Sequence, residues 1–155
     1  MQVRTIAISL SLALAPALVV AAASSPPPAI LNLANAIIHG TNTDDPSGFS
    51  GLFTDDAVVV DENPPFVWRG AGAGVAWWHV VDAVTRKAKL THLRATGVRT
   101  SEFKQSAVDA YLIQAMTITG TVRRKPFSEP GTMTYTLHNV GGKWLISTMV
   151  WTTKP

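Results

Sequence analysis

The 155-residue chain has no cysteine, little charge (15% Asp, Glu, Lys and Arg) and only four histidines. Without cysteine there is neither a disulfide framework nor a thiolate metal site, so folding rests on the apolar core. The histidines are scattered, with no His-x-x-x-His spacing, and no metal-ligand set is recognisable. No Gly-x-Ser-x-Gly run marks a serine nucleophile. Glycines 70, 72 and 74 lack the further glycine, or the lysine and hydroxyl pair, of a phosphate-cradling loop. Thirteen Lys and Arg against ten Asp and Glu leave a formal +3, too small an excess to be a nucleic-acid footprint. What is present is 46% hydrophobic residues, including five tryptophans, which is material for one folded domain.

Residues 1–23 read as a secretory signal peptide. Arg4 supplies a basic start, Ile6 to Val20 an apolar run, and Ala21-Ala22-Ala23 before Ser24 a small-residue cleavage site. Pro16 interrupts that run, which is shorter than the roughly 20 residues of a spanning helix. The expectation is a secreted or periplasmic protein with no membrane attachment after cleavage. Residues 24–28 form a Pro-rich tether, and residues 29–155 a single domain.

Within the domain, Ile30, Leu33, Ala34, Ile37 and Ile38 recur at helical spacing and predict a helix over 29–39. Asp45-Pro46 caps a short second helix through Phe49, Leu52 and Phe53 to Thr54. A strand over 57–61 and a short one over 66–69 follow. A third helix then carries Trp77, Trp78, Val81 and Val84. Four long β-branched and aromatic stretches, 90–103, 107–122, 131–140 and 143–153, predict an antiparallel meander, with 123–130 as a polar hairpin tip. Helices first and strands last give an α+β class: three N-terminal helices packed in a strongly curved, mostly antiparallel sheet.

The run Phe53-Thr54-Asp55-Asp56-Ala57-Val58-Val59-Val60-Asp61, then Trp68-Arg69-Gly70 before a helix, resembles the SnoaL-like and ketosteroid isomerase-like branch of the nuclear transport factor 2-like superfamily. The closing hairpin, Gly131 to Tyr135 and Gly141 to Ile146, is similar to that superfamily's last hairpin. The resemblance covers residues 29–153 and implies a cone-shaped sheet wrapped around helices, with an apolar pocket for a small molecule and no cofactor or metal. It also implies pairing into a homodimer through the convex face.

The resemblance places the general base of the steroid isomerases on Asp61, a role suited to taking a proton beside a carbonyl. Read on their own, Asp61 and Glu62 fit equally well as a solvated strand end. The superfamily's oxyanion-binding tyrosine falls on Ile37 and its protonated acid near Met133, so neither donor is supplied there. Pocket-lining positions fall on Trp77, Ser147, Met149 and Trp151. The register also turns His92 and Arg94 toward the cavity, His92 as an acid, base or donor and Arg94 as an anion holder. Their alternative place is the outer sheet face. Tyr135 is the substitute donor on the strand nearest the missing acid. Two functions stay open: acid/base catalysis of isomerase, cyclase or hydratase type with Asp61, His92 and Tyr135, or a non-catalytic binding or interaction module of the same fold.

Overall fold

A computed structural model of the chain describes residues 25–154, so the expected leader lies outside the described residues. Helix α1 (Pro28–Thr43) begins inside the segment expected to be a tether, because Pro28 takes the first helical position, where its missing N–H costs no hydrogen bond. It buries Ile30, Leu33, Ala34, Ile37 and Thr41 on one face and runs past the expected stop at 39. Gly40 does not end it. A Cβ there would strike the Phe49 ring and the carbonyl of Asp45, so this glycine allows the next segment to pack against the helix.

The expected second helix is a single 3-10 turn, Pro46–Phe49, capped by the Asp45 side chain accepting from the Ser47 N–H at 2.9 Å. The α-helices therefore number two among the described residues, not three. Gly51, at φ 71°, turns the chain out of the 3-10 turn, and strand β1 (Phe53–Val60) starts at Phe53. Asp55 and Asp56 lie within that strand, both exposed.

Strand β2 (Val67–Arg69) pairs antiparallel with β1, and helix α2 (Ala73–Ala88) follows. Strands β3 (Leu90–Gln105), β4 (Asp109–Val122), β5 (Lys125–Val140) and β6 (Lys143–Thr153) form the antiparallel meander. Strand β6 closes onto β1 in parallel, giving the order β2-β1-β6-β5-β4-β3. The architecture is α+β, a curled six-stranded sheet holding the helices, and β2 and β3 remain its two unpaired edges.

One expected loop is strand. Arg123 and Arg124, at φ 49° and 68°, make a two-residue left-handed hairpin turn, so β5 starts at Lys125 rather than 131. Pro126 and Pro130 are tolerated because residues 125–130 pair with β4 alone, while β6 joins from Gly131 onward. The core lies between the sheet and the helices. Its centre is an aromatic cluster in which Phe49 stacks on Trp77 at 6.5 Å and meets Trp78 edge-on.

Candidate functional site

Beside this cluster the concave face encloses a cavity of about 240 Å³, walled by α1, α2 and β3 to β6 and largely apolar. Its body is made by such residues as Ile38, Val81, Leu93, Met116, Ile118 and Met133. Its carboxyl groups gather at one end, where β1 stops: Asp61 and Glu62, beside Asn63 and joined by Glu129 from β5.

Asp61 is 5% exposed and held from two sides. The backbone N–H and side-chain amide of Asn63 both donate to Oδ1, at 2.8 and 2.7 Å, a turn that Asp commonly makes with the residue two positions on. Trp77, from α2, donates its indole N–H to Oδ2 at 2.8 Å. A carboxylate has about four acceptor positions. Three are filled, and one on Oδ2 has no partner among the described residues.

Glu129 is partly buried, and its pKa is raised from the ordinary carboxylate value by that burial, and further by the negative charges of Glu62 and Asp61. Glu62 accepts from Thr153 Oγ1 at 3.1 Å. Thr41, from α1, is buried in the lining. Trp78 lines the same cavity.

The structure brings Asp61, Trp77 and Trp151 to the cavity and leaves the other expected site residues elsewhere. His92 and Arg94 are exposed, and the expectation that they face inward is corrected. A bulge between Thr91 and Arg94 inserts His92 in a left-handed conformation, φ 57°, so that Leu93 and Ala95 turn inward while Arg94 pairs with Thr119 on the outer face. His92 lines an outer cleft with Asp44, Asp82 and Arg86.

A second register shift, at Thr136 and Leu137 against β6, does the same to Ser147. Ile146 and Met149 are both buried, and Ser147 lies on the outer face at 2.9 Å from Thr136 Oγ1. Met149 is completely buried in the core and does not line the cavity. Tyr135 is likewise 1% exposed and outside the lining. Its hydroxyl has no partner among the described residues, and burial pushes its pKa up.

Thr41, Trp78 and Glu129 are the lining residues with usable chemistry that sequence reading missed. Thr41 continues the i, i+4 spacing of Ile37. Glu129 continues the alternation of Phe127, Gly131 and Met133, a signal masked by the prolines and the basic tip.

Solved structures with this arrangement are numerous. A hexachlorocyclohexane dehydrochlorinase of Novosphingobium barchaimii superposes with a TM-score of 0.66 at 15% identity, over 82% of this chain and 85% of that one. A ketosteroid isomerase-like protein of Erwinia carotovora gives 0.64 at 17% identity, over 82% and 95%. The fold is the ketosteroid isomerase-like fold. A Mycobacterium tuberculosis protein of unknown function shares it too, with a TM-score of 0.60 at 21% identity, over 81% of this chain and 70% of that one. No family model matches the sequence. No curated protein matches it either. At these identities the likeness is one of fold, and the cavity residues must be read for themselves.

Proposed function

We propose that the protein binds a small apolar molecule in this cavity and moves a proton on it without a cofactor, with Asp61 as the general base. The observation that carries the reading is a buried carboxylate with one open acceptor position at the end of an otherwise apolar cavity. Trp77 and Asn63 orient the carboxylate before any substrate arrives, so little reorganisation is needed during proton transfer. A volume of about 240 Å³ is at the small end of ligand pockets and suits a compact ring compound. The names of two similar structures, a dehydrochlorinase and a ketosteroid isomerase-like protein, agree with acid/base work on apolar substrates in this fold. Export through residues 1–23 and pairing through the convex sheet face belong to the same reading, supported by the leader pattern and by the resemblance.

A second reading, a carrier without chemistry, is favoured by one observation. The only hydroxyl group in the lining besides Thr85 is that of Thr41, a thin supply of donors for a developing oxyanion. The experiment that separates the two is deuterium exchange into 2-indanone, followed by NMR, with binding measured in parallel by tryptophan fluorescence. General-base catalysis predicts exchange that falls about 10²–10⁴-fold in Asp61→Asn while binding persists. Binding with no exchange above buffer, equal in both proteins, identifies the carrier.

A further inference from the structure

The cavity's charge is one-sided. Its titratable lining groups are Asp61, Glu62 and Glu129, and no Lys, Arg or His of the described residues joins them. The ion pairs of the described residues all lie elsewhere, at Arg86, Lys104 and His138. The Glu129 side chain makes neither a hydrogen bond nor an ion pair among the described residues, while the Glu62 side chain holds only the Thr153 hydroxyl. Asp61 is bound by neutral N–H donors alone. Negative charge thus lines an apolar space with no balancing cation among the described residues, Asp61 buried, Glu129 half-buried and Glu62 exposed, a field that favours a cationic ligand.

Two further features point to an organic partner. Trp77, Trp78 and Trp151 line the same cavity, and tryptophan is the ring that attracts a cation most strongly. Thr41, 8% exposed, adds a hydroxyl-bearing residue to the same lining. A metal ion is a poorer fit, because among the described residues no three His, Asp or Glu side chains are placed to hold one.

We infer that the cavity selects an apolar molecule bearing one protonated amine, its ammonium paired with Glu129 at the acidic end of the cavity and its ring body against Met116, Ile118 and the tryptophans. The inference rests on the reading that this cavity binds a small molecule. The raised pKa of Glu129 agrees with it, since it records the same unbalanced negative field. An anionic ligand, such as a carboxylate or a phosphate ester, meets repulsion at the polar end.

The test is a tryptophan-fluorescence titration at pH 7 with 2-aminoindane, 2-indanol and indane-2-carboxylate, which share one apolar body and differ in charge. The expected order is amine tighter than alcohol by about tenfold or more, with the carboxylate weaker than both. In Glu129→Gln the amine's advantage narrows by about threefold or more, and the alcohol is unchanged. Equal binding of amine and alcohol, or an amine advantage untouched by Glu129→Gln and Glu62→Gln together, overturns the inference and leaves the cavity reading standing. Failure of all three probes to bind overturns both.

Discussion

The indole N–H of Trp77 meets Oδ2 of Asp61 at 2.8 Å, joining helix α2 to the end of β1 across sixteen residues of chain. This contact fixes the one carboxylate buried in the cavity wall, and it ties that carboxylate to the aromatic cluster on which the core is built. Trp77→Phe keeps the packing with Phe49 in large part and removes the donor. A loss of about 1–3 kcal/mol is expected in urea unfolding, the range for depriving a buried polar group of its partner. Unchanged stability and an unchanged ligand affinity would mean that Asp61 finds another donor and that the indole is only packing.

At the C-terminal end of α1, Asn42 acts as a clamp on the bulged edge strand. Its side-chain amide donates to the Ala95 carbonyl at 3.2 Å, and its oxygen accepts from the Ala95 N–H at 2.6 Å. Both bonds follow directly on the His92 bulge, where the strand's own ladder is interrupted. Asn42→Ala is expected to cost about 1–3 kcal/mol by leaving a backbone pair unsatisfied. Amide exchange at Ala95 should rise more than at Leu112, which sits in the middle of the sheet. Equal changes at both would assign the loss to global stability rather than to the clamp.

How far the sequence reveals the site depends on where strands stay regular. Asp61 and Trp77 are legible because a short apolar strand ends on the first and a helical stripe carries the second. His92, Arg94 and Ser147 are misplaced for one physical reason. Side chains alternate with period two only until an extra residue is inserted, and both β3 and β6 contain such an insertion. Glu129 is hidden by a different rule, that Pro and charge mark a loop, which fails where a strand is paired on one side only. The second helix shrinks to a 3-10 turn because Gly51 interrupts what Asp45-Pro46 begins. The sheet order and the two helical stripes survive all of these local errors, since hydrophobic burial over whole elements decides them.

Gly131 sets the shape of one cavity wall. A Cβ at this position would lie 2.5 Å from the outer edge of the Trp151 ring and 2.7 Å from the backbone oxygen of Thr152. The glycine therefore lets the edge of the Trp151 ring, part of the lining, approach β5 closely. Gly131→Ala should displace Trp151 and cost about 1–3 kcal/mol, as overpacking does. Ligand affinity should fall as well, and the tryptophan emission should shift as the ring moves. A variant with wild-type stability and unaltered emission would show that the ring yields freely and does not shape the wall.

Glu129 makes acidity a stabilising influence at this end of the cavity. Its folded pKa lies above the ordinary value of 4.5, through burial and the charges of Glu62 and Asp61. Between the unfolded and folded values the native state holds more of this proton than the unfolded chain does, so its contribution to stability falls as pH rises through that window. Above the window the ionised carboxylate opposes folding in full. Glu129→Gln removes that opposition, so the variant should unfold at a higher temperature than wild type at pH 7. As pH falls below the unfolded value, where both forms of Glu129 are protonated, the difference should vanish. Thermal melts of both proteins from pH 3.5 to 7.5 measure it. A gap that widens toward acid would mean that Glu129 is stabilised as a carboxylate and that the polar end carries a compensating positive charge.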